Sequence, residues 1–349
     1  MEGTWESRFI NTAKAQGHSE AFIAECLGYA HNLMSHNMPV IFDVPHLSIL
    51  LGIEVGQIYA IIINIDDNYK KYSIRKKSGG KRDICAPKPI LKQIQHWIYK
   101  NILLREKRIS DCAHGFIPKD GDIVKGIISN AKPHAGQKVV VSMDLKDFFT
   151  SIYQKKVLDY FMELGYDKKI ADCLTSLCCL NRNCPQGAPT SPILSNIIFR
   201  PVDEEISQYC NNNHLTYSRY ADDITISGED ENTAIIIEDI TKILKDNGYR
   251  INRKKTRIRI RGTKQEVTGL TISDGIHVPK SYRQEIWREL YFCKKHGVVE
   301  HIKHLNDHNK CDRGYYKSWL LGRIQFVRQV DIITGDKMLT AFNQLGWII

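Results

Sequence analysis

The sequence predicts an α+β fold. Three observations carry this: two short runs of alternating polar and apolar residues flank an acidic turn in SRYADDITISG (218–228), the β-prone run Val139 to Met143 reads as a buried strand, and ILKQIQHWIYKNIL (90–103) repeats apolar residues at helical spacing. At 349 residues and 42% hydrophobic content, the chain can bury a substantial core and is expected to divide into two or three subdomains. No internal repeat, low-complexity tract or long linker interrupts it.

The formal net charge is +10, the sequence pI is near 9.0, and Lys and Arg recur along the whole chain, which favours a polyanionic partner. The N-terminus MEGTWESRF is acidic and polar, without the basic segment and apolar core of a signal peptide. The longest apolar stretch, IYAIIINI (58–65), is too short to span a bilayer, so no membrane partner and a reduced, cytoplasmic setting are expected. The ten cysteines then read mostly as buried thiols. Cys178, Cys179 and Cys184 lack the paired C-x-x-C spacing and nearby His pair of a zinc site, and read as packing around a helix in KKIADCLTSLCCL (168–180).

Taken in order, residues 1–70 alternate helical patterns with short breaks. SIRKKSGGKRDICAP (73–87) reads as a hairpin around a Gly-Gly turn loaded with cations, and the helix of 90–103 follows. The strand in KVVVSMDLKDFFTSI (138–152) runs into Asp144, a carboxylate that is costly at that place unless a cation pairs with it. LTYSRY (215–220) and ITISG (224–228) alternate like paired strands, with Ala221, Asp222 and Asp223 as a tight turn. Two adjacent acids repel unless a cation sits beside them. If this hairpin packs beside the Asp144 strand, three carboxylates converge; such hard oxygen ligands suit Mg²⁺, and two ions about 4 Å apart would stabilise both oxygens of a phosphoryl transfer. VPKSYRQEIWRELYFCKKHG (278–297) has the pattern of an amphipathic helix, with Ile286, Leu290 and Cys293 apolar and a basic opposite side.

YADD (220–223), DLKDFF (144–149) and PQGAPTSP (185–192) resemble, in this order, the palm motifs of reverse transcriptases. KKSGGKRDI (76–84) resembles their fingers hairpin, and INRKKTRI (251–258) the segment after the catalytic hairpin. NAKPH (130–134), an N-A-x-x-H pattern, VTGL (267–270) and WLLGRIQFVRQV (319–330) resemble retron reverse transcriptases more narrowly. The resemblance implies a right-hand polymerase: residues 1–70 as the N-terminal helical region of the fingers, 71–275 as fingers and a palm with an antiparallel sheet, and 276–349 as a helical, RNA-binding thumb.

The same resemblance implies site residues. Asp144 and Asp222 would hold two Mg²⁺ ions, Asp223 would complete the acidic set, and the backbone carbonyl of Leu145 would be a further ligand, whereas Asp147 matches no metal position. Phe149 would lie under the incoming sugar and reject a 2′-hydroxyl, selecting dNTP substrates; plain core packing is its other reading. Arg82, with Lys76, Lys77 and Lys81 around it, would grip the triphosphate. Gln186 and Gly187 would line the nucleotide pocket, the glycine permitting close backbone approach. Lys255 would protonate the pyrophosphate leaving group. Asn130, His134, Val267, Thr268 and Gly269 are the family's candidate RNA-binding signatures, joined on the thumb helix by Lys280, Arg283 and Arg288; His134 reads equally well as a satisfied structural histidine.

A retron enzyme recognises a structured segment of its own non-coding RNA, primes from a guanosine 2′-hydroxyl and makes branched, RNA-linked single-stranded DNA (msDNA). The implied partners are that RNA, its DNA product, a host RNase H, since no nuclease domain fits in the chain, and a co-encoded effector in anti-phage defence. RNA shape and 2′-hydroxyl contacts would carry the selectivity. Three alternatives compete: a group II intron-like or other bacterial reverse transcriptase, an RNA-dependent RNA polymerase, which Phe149 argues against, and a catalytically dead RNA-binding scaffold, against which stand the three acids.

Overall fold

Capping residues punctuate the N-terminal helices. Helix α1 (Trp5–Ala15) begins where the Thr4 hydroxyl accepts from Ser7 N, α2 (Glu20–Ser35) where the Ser19 hydroxyl accepts from Phe22 N, and α3 (Val44–Leu51) where the Asp43 carboxylate accepts from His46 N. The computed structural model describes residues 4–75, 79–106, 108–119, 124–229, 232–307 and 315–347. Along the chain follow α4 (Val55–Ile63), β1 (Tyr69–Arg75), β2 (Lys81–Pro87), α5 (Pro89–Asn101), α6 (Ile127–Ala131), β3 (Val139–Asp144), α7 (Gln154–Glu163), α8 (Lys168–Cys178), α9 (Ser191–Asn212), β4 (Thr216–Tyr220), β5 (Asp223–Gly228), α10 (Thr233–Asp246), β6 (Arg257–Ile260), β7 (Glu266–Val267), β8 (Leu270–Thr271), α11 (Lys280–His296), α12 (Val298–Asp307), α13 (Tyr316–Val330) and α14 (Ile332–Asn343). The α+β expectation holds, with every strand pairing antiparallel. Among the described residues no single helix is long and apolar enough to cross a membrane.

Two compact units emerge. One comprises Met1–Pro118, Leu145–Ser207 and Asp239–Ile251. Its core gathers Ile58, Leu91, Ile94, Ile98, Phe161, Leu174 and Leu177, and buried Gln95 ties it internally by donating to the Tyr69 hydroxyl and the Leu177 carbonyl. Cys178, Cys179 and Cys184 lie inside this core. A hydrogen bond with Cys179 and burial push the Cys184 thiol up, and burial does the same to Cys178, which keeps both protonated. β1 and β2 form their own hairpin, with Gly79 and Gly80 both at positive φ next to the turn.

The second unit comprises Lys119–Asp144, Gln208–Glu238 and Asn252–Ile349. Its four-stranded sheet has the order β4-β5-β3-β6. Val140, Val267, Leu270, Ile286, Leu290, Tyr316, Leu320 and Ile324 share its core. Ile286, Leu290 and Cys293 of α11 are buried, as their spacing requires.

Candidate active site

β3 is nearly all buried and ends on Asp144. Its antiparallel register with β5 sets Val139 opposite Gly228 and, at the other end, Asp144 opposite Asp223. β5 also pairs with β4, Tyr220 facing Asp223, so only Ala221 and Asp222 form the turn. The sequence reading placed Asp223 in that turn; the structure makes it the first residue of a strand. Ala221 takes φ 57, the positive angle that a two-residue turn of the II′ kind needs at its first central position, at a cost of about 1–2 kcal/mol for a non-glycine residue. Arg219, fully buried, donates from Nη1 to the Ala221 carbonyl at 2.9 Å and braces the turn. Sequence reasoning passed over Arg219; its signal is a cation inside a strand otherwise read as half-buried.

The acidic residues are held against their mutual repulsion by Lys255. It lies on a 3₁₀ turn, Arg253–Lys255, that Asn252 N pins to β3 by donating to the Asp144 carbonyl at 2.7 Å. Its ammonium donates to Asp144 Oδ1, and that hydrogen bond raises the Lys255 pKa against the opposing effect of burial. The Asp223 carboxylate still reaches solvent. Even so, burial first, then the charges of Asp222 and Asp144, push its carboxyl up to about 6, with Lys255 pulling the other way. Among the described residues no three His, Cys, Asp or Glu side chains close around one point as a ready-made metal cage. The donor chemistry nonetheless suits Mg²⁺: carboxylate oxygens alone, carrying repulsion that a divalent ion would relieve, for a cation that keeps water and takes its other ligands from phosphate.

Asp144, Asp223 and Lys255 line one end of a cleft of about 490 Å³, and Arg257, Arg259, Thr268 and Gly269 line it further along. Alternation along β6 sends Arg257 and Arg259 into the cleft and leaves Ile258 and Ile260 half exposed. β7 and β8 are joined by Thr268 and Gly269, at φ 46 and 79, the two positive angles of a type I′ hairpin. Val267 is buried in the core, and Thr268 Oγ1 donates to the Ile127 carbonyl at 3.0 Å.

Asn130 and His134 sit elsewhere than a surface role requires. Both are fully buried. The two His134 ring nitrogens lie 2.7 Å from Ser227 Oγ on β5 and 2.7 Å from Ser218 Oγ on β4. Ser218 gives its one proton to the Asn130 carbonyl, so the His134 Nε2–H donates to Ser218. The Asn130 side-chain oxygen and nitrogen are buried with no hydrogen-bond partner. Direct RNA contact by these two side chains is therefore corrected, since both are buried: His134 clamps the two strands of the acidic hairpin from inside, because an imidazole carries two ring nitrogens on opposite edges and can meet two buried hydroxyls on adjacent strands.

The expected nucleotide residues belong to the other unit. Phe149 is half-buried beside Phe148 and Phe116, at ring distances of 5.7 and 5.9 Å. Gln186 and Gly187 lie along β2, where the Gln186 carbonyl accepts from Cys85 N at 2.8 Å. Gly187 has φ 120, and a Cβ there would meet the Cys85 carbonyl at 2.9 Å, so glycine is required. Arg82 is exposed on β2, opposite Ile74; Lys81 is exposed beside it, and Lys76 and Lys77 lie outside the described residues. Leu145 is buried and bridges to Ile251. Asp147 is exposed at φ 53, and its carbonyl accepts from Thr150 and Ser151. On α11, Lys280 and Arg288 are exposed and Arg283 is half-buried.

The chain matches the family model described as "Reverse transcriptase (RNA-dependent DNA polymerase)" over residues 74–273. It is 34% identical over 319 residues to the Retron Ec86 reverse transcriptase of Escherichia coli, covering 90% of this chain and 92% of that protein. It is 30% identical over 298 residues to the Retron Mx65 reverse transcriptase of Myxococcus xanthus, covering 78% and 68%. Among solved structures, an apo telomerase from Candida tropicalis shares 15% identity at a TM-score of 0.46, over 80% of this chain and 56% of that one.

Two outcomes follow from this geometry. His134→Ala strips partners from the buried Ser218 and Ser227 hydroxyls and should lower the unfolding free energy by roughly 2–4 kcal/mol in a urea titration; a loss below about 0.5 kcal/mol would refute the clamp. Because the folded-state pKa of Asp223 lies above its ordinary value of 3.8, the folded chain binds a proton between about pH 4 and 6 that the unfolded chain does not, and this group's contribution to stability falls as pH rises through that window. In buffer with EDTA, Asp223→Asn should be more stable than wild type at pH 7, with the gap closing towards pH 4; a gap independent of pH would contradict this.

Proposed function

We propose, from the premise that this chain belongs to the retron reverse transcriptases and is an RNA-directed DNA polymerase of right-hand, α+β fold, that it copies part of its own structured non-coding RNA into DNA from a guanosine 2′-hydroxyl. The observation that supports the chemistry is Asp144 standing opposite Asp223 across β3 and β5, with Asp222 at the adjoining turn and Lys255 as the counter-charge. In this reading residues 1–70 are the N-terminal part of the fingers, 71–275 the fingers and palm, and 276–349 the thumb.

Asp144, Asp222, Asp223 and the Leu145 carbonyl would hold two Mg²⁺ ions, whose charge, when bound, stabilises the attacking and leaving oxygens. Lys255, whose pKa is raised, keeps its proton at neutral pH and would give it to the departing pyrophosphate, a step that typically contributes about 10²- to 10⁴-fold. Arg82 would take triphosphate oxygens in a bidentate grip. Gln186 and Gly187 would hold the nucleotide by backbone approach, and the Phe149 ring would exclude a ribose 2′-hydroxyl. Thr268, Gly269, Lys280, Arg283 and Arg288 would meet RNA, while Asn130, His134 and Val267 would support that role from the interior.

The product would be branched, RNA-linked single-stranded DNA, with template removal left to a host RNase H and a co-encoded effector coupling the system to anti-phage defence in the cytoplasm. Family membership is what supports this part of the reading.

Expression with the flanking upstream DNA should yield a discrete single-stranded DNA that survives RNase, shifts in mobility after a 2′-5′ debranching enzyme, and disappears in Asp222→Asn although RNA binding persists. Extension of an annealed primer on added RNA without any branched product would remove the priming proposal and leave the polymerase. Phe149→Ala should incorporate ribonucleotides at least tenfold more readily in single-nucleotide assays, and unchanged sugar discrimination would take Phe149 out of the pocket.

A further inference from the structure

α11 carries two carboxylates, Glu285 and Glu289, and both are spent internally. Glu285 accepts from Arg323 Nη2 at 2.6 Å. Glu289 is buried and accepts from His301 Nε2 at 2.8 Å and from the Tyr316 hydroxyl at 3.0 Å. The helix packs inward through Ile286, Leu290 and Cys293. At about 100° per residue, Lys280, Trp287, Tyr291 and Lys294 fall within roughly 60° of one another on the side that adjoins the buried face at Leu290, and Lys295 and Arg288 continue this surface around the helix. Among the described residues Lys280, Arg288 and Lys294 are in no ion pair. Trp287 is 39% exposed and Tyr291 56% exposed, and Lys295 Nζ stands 5.8 Å from the centre of the Tyr291 ring.

We infer that this face of α11 is a stacking platform for unpaired nucleotides of the RNA, with Trp287 and Tyr291 taking bases and Lys280, Lys294 and Lys295 the phosphates between them. Two large rings exposed one helical turn apart lie among cations, and the exposed carboxylate of this helix, Glu285, is already paired with Arg323, which fits a polyanion with flat apolar bases. Four residues advance the helix by about 6 Å, close to two nucleotide steps of ~3.4 Å, so rings at this spacing can serve two positions of one strand that are two nucleotides apart. Stacking accepts any base and needs it unpaired, which separates loops and single strands from the stems whose shape the basic surface tracks. The inference rests on the RNA-binding reading above and adds to it the part of the RNA that α11 selects.

The test uses the full chain with two probes of equal phosphate number, an oligouridylate and a blunt RNA duplex, titrated across a salt series. Trp287→Ala and Tyr291→Ala should each weaken oligouridylate binding by roughly 5- to 150-fold, leave duplex binding within about twofold, and keep the slope of log K against log salt, while Trp287→Phe and Tyr291→Phe recover most of the loss. Lys280→Gln with Lys294→Gln should weaken both probes and flatten the slope by about 0.7 per cation on the single strand. Unchanged oligouridylate affinity in the alanine variants, or equal losses on both probes, overturns the stacking platform and turns the face over to a protein partner. An unchanged slope in the lysine variants overturns instead the reading of this helix as an RNA surface.

Discussion

Two carboxylates set opposite each other across an antiparallel pair, Asp144 on β3 and Asp223 on β5, are the constraint on which the sheet's other features depend. Like charges at paired positions oppose sheet formation, so the strands must be held in register by something stronger. β3 supplies it: its four apolar residues, Val139, Val140, Val141 and Met143, are all buried, and a one-residue slip would exchange the faces on which they pack. The repulsion concentrated at the strand end is then met locally by Lys255, the one cation of the NRKKT segment that donates to Asp144. The outcome is a rigid frame that carries its electrostatic strain at its tip, where a catalytic site can use it.

The hairpin that presents Asp222 and Asp223 is held from within. Arg219 anchors the positive-φ turn through the Ala221 carbonyl, and His134 bridges β4 and β5 further back. Both are buried polar groups that would be costly without partners, and both bond within the same hairpin, Arg219 to its turn and His134 to its two strands. The N-A-x-x-H signature thus meets the acidic hairpin from the interior, through the His134 ring and the Asn130 carbonyl.

The strand into Asp144, the paired strands around the acidic turn and the amphipathic α11 were legible because each follows a period, two or 3.6, that local sequence displays. What periodicity cannot display is a partner. Whether Asp223 closes the turn or opens the strand depends on its pairing with Tyr220 and Asp144. Lys255 could not be told from Arg253 and Lys254 by spacing, since a tertiary contact made 111 residues away along the chain selects it. Alternation alone does not mark Arg219, whose burial and bond to the Ala221 carbonyl depend on the folded hairpin. The motif around Gly187 was visible, but its steric reason is the Cys85 carbonyl on another strand.

Charge placement separates chemistry from holding within one unit. At the sheet tip the acids are left facing one another; burial first and then these neighbouring charges raise the Asp223 pKa, which suits a place where cations and phosphates must come and go. On α11 the opposite arrangement holds: both carboxylates are paired within the chain, buried Glu289 with His301 and Tyr316 and exposed Glu285 with Arg323, which leaves Lys280, Arg288 and Lys294 as its uncompensated charges. A net charge of +10 could be spread evenly and still attract a polyanion. Segregating it costs the burial of the Glu289 carboxylate, and that cost is offset only if the uncompensated face has a partner whose charge completes it.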